Sequence, residues 1–236
     1  MIDNLDDYLI SLAIGVRYRA NFSIEDQLGR IADQILYSKQ SFFKPQCFPN
    51  VYTNVNEKIL VNEKTKDHLI INNSNIILEI NFGEYFQASD FDVIVNKFNS
   101  DIILGIMKDF RITEINRVGL IKRYLFDIED LSNNFIKKTI GATLEGINDI
   151  NLRFSKKLPE YKAFINKDVN DYFNAIFNVI KRADKKELFV SVDFQKYFDP
   201  FLNRSSEIEF EKFYEKALSF NNKIFLSWLN KNYGNK

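Results

Sequence analysis

Two stretches, Ile14–Asp26 (IGVRYRANFSIED) and Val118–Asp130 (VGLIKRYLFDIED), carry the pattern that decides how this chain is built. Gly15, Arg19, Phe22, Ile24, Glu25 and Asp26 find counterparts in Gly119, Arg123, Phe126, Ile128, Glu129 and Asp130 at one constant spacing. In the first stretch Leu12, Ile14, Val16 and Tyr18 alternate with Ala13, Gly15, Arg17 and Arg19, the period-2 signature of a strand. Ser23 then stands as a helix N-cap, with Glu25 and Asp26 in the first turn at the positive end of the helix dipole. Ile24, Leu28, Ile31 and Ile35 follow at helical spacing on one face. The second stretch repeats the design, with Asp127 as cap and Phe135, Ile136 and Ile140 in the places of Ile31, Ala32 and Leu36. The shared segment therefore reads as a strand-to-helix joint, and its acidic pairs as first-turn residues in place of metal or acid-base ligands.

Outward from the joint, each half continues with three strand-like runs and a long amphipathic helix. In the first half these are 51–61, 68–72 and 75–82, then a helix using Phe91, Ile94, Phe98, Ile102 and Ile106. In the second they are 148–157, 170–182 and 187–196, with Phe173, Ala175, Phe177 and Val179 on one face of the middle run. A last helix opens at the capping box Ser206 to Glu209 and carries Phe210, Phe213, Ala217, Ile224, Phe225 and Trp228, with SFNN at 219–222 as a candidate break. The expected fold is α+β. Two pseudo-repeated β-α-β-β-β-α halves, 1–110 and 111–236, form one compact unit of mainly antiparallel sheet with helices on one face. The halves join sheet edge to sheet edge or helix to helix.

Composition narrows the function classes. Of 236 residues 45% are apolar and 15% aromatic, enough for a sizeable core. The 32 basic and 32 acidic residues cancel, so any attraction to nucleic acid must come from a local patch. One cysteine excludes an internal disulfide, and the acidic start MIDNLDDY is unlike a secretory signal, so a cytoplasmic protein is expected, with no membrane partner.

Residues that could do chemistry are few. His68, the only histidine, falls in the polar stretch NEKTKDHL and reads as an exposed turn residue; Cys47 reads as a packed thiol. Glu160-Tyr161-Lys162 imitates a nuclease Glu-x-Lys but follows Pro159 in a loop. Asp193 and Asp199 read as turn carboxylates at a strand end. No phosphate loop, nucleophile elbow or zinc spacing occurs. The expectation is a protein that is not an enzyme, with no cofactor and no metal.

Arginine placement says more. Of nine arginines, Arg17, Arg19, Arg111, Arg117 and Arg123 lie on or beside the first strand of each half, while lysine dominates elsewhere. Guanidinium groups so concentrated suit an anion or nucleic acid; they also suit an open sheet face on which arginines pair with neighbouring carboxylates. Aromatic excess adds a second surface: Tyr172, Ile176 and Ile180 lie opposite the core face of the run 170–182, and Trp228 belongs to a helix apolar around much of its circumference. The candidate binding residues are thus Arg17, Arg19, Arg117, Arg123, Tyr172, Ile176 and Trp228.

RVGLIKRYLF at 117–126, with the ending FEKFYEKALSFNNKIFLSWLN, resembles an uncharacterised, sporadically distributed family of bacterial cytosolic proteins of unknown function that carries a mid-chain motif like RxGLRYIN. Arg117, Gly119 and Leu120 match, while Ile121 and Lys122 replace the Arg-Tyr pair. The resemblance implies a bacterial accessory protein from a defence or mobile-element gene cluster. The residues themselves lead to a non-catalytic binding protein that recognises another macromolecule, a protein partner or second copy first. A nucleic acid held by the arginine strands is the alternative, and an apolar ligand pocket the next.

Overall fold

The computed structural model describes residues 2–38, 42–54, 57–112, 114–127, 138, 149–158, 172–182, 187–202 and 210–233. The described strands form a single antiparallel sheet of nine, in the order β2-β3-β4-β5-β1-β6-β9-β8-β7. They are β1 (Leu9–Tyr18), β2 (Asn50–Asn54), β3 (Glu57–Asn62), β4 (Asp67–Asn72), β5 (Asn75–Asn81), β6 (Ile115–Phe126), β7 (Asp149–Leu158), β8 (Tyr172–Arg182) and β9 (Leu188–Leu202). The α+β class expected from the sequence is what the chain adopts. Each half places its first strand at the centre and its last strand beside it, and β1 and β6 close the middle by pairing with each other. Of the two ways of joining the halves, the molecule uses edge-to-edge pairing.

The run 51–61 divides into two strands, so four strands, not three, follow the first helix. The run 187–196 continues to Leu202, which moves Asp193 and Asp199 from a strand end into β9. Apart from Asp127 and Lys138, which is helical, the helix expected at 127–140 lies outside the described residues, as do the capping box at 206–209 and Glu160-Tyr161-Lys162.

The first helix begins as a 3₁₀ turn (Phe22–Gln27) and continues as α1 (Leu28–Tyr37). Its cap is Asn21, whose side chain accepts from the Ser23 N–H, and not Ser23 itself. Asn21 has the extended backbone that an N-cap requires, and its carboxamide reaches the amide two residues on. Ile24, Leu28, Ile31 and Ile35 are all buried, as their spacing predicts. The helix after β5 is α2 (Phe91–Lys97), a π-helical segment (Phe98–Ile103) and α3 (Leu104–Asp109). It ends at Arg111, which has φ of 52° and turns the chain into β6. The last helix has the same build: α4 (Phe210–Ser219), a π-helical segment (Phe220–Phe225) and α5 (Leu226–Tyr233). The break expected at SFNN is thus a widened turn. It leaves Ile224 exposed, against expectation, while Phe220 and Phe225 stay buried.

Alternation fixes which face of the sheet the helices cover. Leu12, Ile14 and Val16 of β1, Leu78 and Ile80 of β5, Leu120 and Tyr124 of β6, Val192 and Phe194 of β9 and Phe173 and Phe177 of β8 are buried in one cluster with residues from α1 to α5. Lys122 shares that face; its Nζ lies 3.0 Å from Asp6 Oδ1 and 4.2 Å from the centre of the Phe91 ring. Residues of opposite parity form the second face, which none of the described helices covers.

Candidate site on the uncovered sheet face

Cross-strand register arranges the second face in rows. One row runs Asn75, Arg17, Arg117, Tyr197, Tyr172 from β5 to β8. The next runs Ile59, Ile70, Ile77, Gly15, Gly119, Gln195, Asn174, Lys157 from β3 to β7. A third holds Val61, His68, Glu79, Ala13, Ile121, Asp193 and Ile176. A fourth holds Asn81, Ser11, Arg123, Ser191, Asn178 and Arg153. The first-half side is rich in isoleucine, and the centre and second-half side are polar.

The candidate residues divide by place. Arg17, Arg117, Arg123, Tyr172 and Ile176 share this face. Arg19 lies just beyond β1, largely exposed, with its guanidinium on the Glu114 carboxylate at 3.0–3.1 Å. Trp228 is on the opposite side of the molecule, packed on Phe154, Phe177 and Phe225 with ring centres 5.9–6.0 Å apart. It does not join the others.

Two of the arginines are spent on carboxylates. Besides Arg19, Arg123 reaches over the small Ala13 to Glu79 Oε1 at 2.7 Å and donates to Ser11 Oγ at 3.2 Å. Glu79 also meets His68 Nε2 at 3.4 Å. His68 is therefore a half-buried strand residue of β4 and not an exposed turn residue, because the turn closes earlier, at Lys66 with φ of 64°. The bond to Glu79 raises the His68 pKa; burial pushes Glu79 upward, but the bond from His68 and the charge of Arg123 leave it below its ordinary value.

Arg17 and Arg117 stand directly opposite each other across the central strand pair. Arg17 has no ion pair among the described residues. Arg117 donates to the Tyr197 hydroxyl at 3.4 Å and lies over that ring at 5.8 Å. Tyr197 stacks on Tyr172 at 4.9 Å, and Lys157 sits 4.4 Å over Tyr172. Two adjacent rows thus carry three cations, Arg17 and Arg117 in the first and Lys157 in the second, with the two tyrosine rings between Arg117 and Lys157.

Beside the Arg17–Arg117 row is a depression of ≈ 120 Å³ lined by Gly15, Arg17, Asn75, Arg117, Asp193 and Gln195, among others. Gln195 donates from Nε2 to Asp193 Oδ2, while its own buried Oε1 has no hydrogen-bond partner. Burial raises the Asp193 pKa in spite of that bond and of the nearby Arg117, Arg153 and Arg123. Among the described residues no group of three or more His, Cys, Asp or Glu could hold a metal ion.

Asp193, Gln195, Tyr197 and Lys157 were not singled out as binding residues by sequence. Alternation within 188–202 does place Asp193, Gln195 and Tyr197 on one face. Only register shows that this face continues from Arg117. No family model matches the chain, and the curated proteins contain no match to it.

Proposed function

We propose that the chain is a non-catalytic binding protein that holds a nucleic acid across the uncovered face of its sheet. The observation that carries this reading is the cross-strand pair Arg17–Arg117. Like charges placed directly opposite destabilise a sheet, and no described carboxylate neutralises Arg17. A phosphate backbone removes that repulsion and releases its own counterions. Lys157, three strands beyond Arg117 at ~4.8 Å per strand and in the neighbouring row, adds a third positive charge across the face. The rings of Tyr172 and Tyr197 are capped by Lys157 and Arg117, which suits contact with phosphate more than stacking of bases on those rings.

The test is fluorescence anisotropy with mixed-sequence oligonucleotides between about 50 and 200 mM salt. Affinity is expected to fall steeply with salt. Arg17→Ala together with Arg117→Ala is expected to weaken binding for every sequence and reduce the salt slope by about two. Salt-insensitive binding, or none, overturns the reading.

A second reading, a protein partner, draws on the half-buried Ile59, Ile70, Ile77 and Val61 on the first-half side, which form an apolar area next to the basic centre. It predicts weak salt dependence and sensitivity to Ile70→Asp.

A further inference from the structure

We infer that the central depression reads a single unstacked guanine base; the inference rests on nucleic-acid binding by this face and adds base selectivity to it. The floor is made by Gly15 and Gly119, adjacent across β1 and β6, so the backbone lies bare between Ile77 on one side and Gln195 on the other. The two glycines are there for different reasons. A Cβ at Gly15 would meet Ile76 O at 2.9 Å and Ile77 Cγ1 at 3.1 Å, so strand packing excludes one. A Cβ at Gly119 would find nothing closer than Gln195 Cγ at 3.8 Å and Asp193 Oδ1 at 3.9 Å. Neither packing nor backbone conformation demands glycine at Gly119. What its missing side chain does is keep the depression open.

The polar groups around this floor are of two kinds, on two sides. Asp193 Oδ1 overhangs Gly119, and Gln195 Oε1 is a buried acceptor without a partner, its residue 4% exposed. A buried acceptor left unpaired costs free energy, which a ligand donor recovers once the Gln195 carboxamide turns that oxygen into the depression. Arg117 and Arg17, both lining the depression, supply donors at the other end. The complement is a flat group with two neighbouring N–H donors on one edge and acceptors beyond them. Guanine has this pattern, with N1–H and N2–H₂ side by side and O6 and N7 as acceptors suited to arginine. Adenine, cytosine and uracil each place an acceptor next to their donor on that edge. Ile77 and Ile121 give the ring apolar sides, and Arg17 is left for the adjoining phosphate.

The test uses the full chain and short single strands of uridine with one central position varied. A central guanosine is expected to bind about 5- to 160-fold more tightly than uridine or adenosine, the range of a good bidentate pair. Inosine, which lacks the N2 amino group, is expected to fall between them. Gln195→Leu and Gly119→Val, the second filling the depression, are both expected to shrink the guanosine-to-uridine ratio toward one, with folding checked by circular dichroism. Equal binding of all strands by the wild type, or a ratio unmoved by both variants, overturns the guanine site and leaves phosphate binding standing. Failure of every strand to bind removes both.

Discussion

His68, Glu79 and Arg123 form a charged trio on the uncovered face whose stability contribution depends on pH in a definite direction. The His68 pKa is raised from 6.5, so its stabilisation is complete below 6.5 and is lost as pH rises through the folded value. The Glu79 pKa is lowered from 4.5, so its stabilisation is complete above 4.5 and is lost as pH falls through the folded value. Between these pH values both contributions are present in full. The advantage of the wild type over His68→Gln in melting temperature is therefore expected to be largest there and to shrink toward pH 9, measured by differential scanning fluorimetry. A constant difference across that range refutes the trio. The sequence could not show this role, because nothing within NEKTKDHL reveals that Val61 and Glu79 flank His68 on neighbouring strands.

Among the elements, β1 and β6 meet at their glycines, and the same substitution is expected to have opposite effects at the two positions. Gly15→Ala forces a methyl group against the Ile76 carbonyl, backbone that cannot move aside cheaply, and is expected to cost about 1–3 kcal/mol. Gly119→Ala makes only ordinary van der Waals contact with Gln195 and Asp193 and is expected to be neutral or stabilising by up to ~1 kcal/mol, since glycine within a strand is entropically unfavourable. At this chain length each kcal/mol moves the melting temperature by about 2–4 °C, which calorimetry resolves. Strands and helices were largely legible from periodicity: alternation located β1, β4, β5 and β8, and helical spacing located Phe91, Ile94, Phe98, Ile102 and Ile106. The split of 51–61 was not, because no Gly or Pro within VYTNVNEKILV marks a turn. Nor were the π-helical segments, in which one extra residue per turn shifts the buried stripe and moves Ile224 off the core face.

On the scale of the whole molecule, the register of β1 on β6 is centred on Gly15 opposite Gly119, the same two residues that correspond in the repeated sequence. We propose that the halves descend from one duplicated module. On that reading the β1–β6 seam imitates a pairing of two β1 strands. Residues 1–110 made alone are expected to form a homodimer through β1, visible as a doubled mass in light scattering. Addition of residues 111–236 is expected to convert it to a one-to-one complex. A monomeric fragment, or one whose mass does not respond to the second, argues against it. The fold class was readable from composition and spacing. Which edges meet was not, because edge choice depends on contacts between residues a hundred positions apart.

That remoteness shapes how the protein is made. During synthesis the isoleucine-rich first half of the sheet can assemble as soon as β5 emerges, yet its innermost strand waits for β6, some 35 residues behind. At elongation rates of roughly 5–20 residues per second, the bare edge of β1 stays available to wrong partners for about 2–7 s on each ribosome. Nascent chains crowded on one message can therefore pair with each other through the strand that later becomes the middle of the finished sheet.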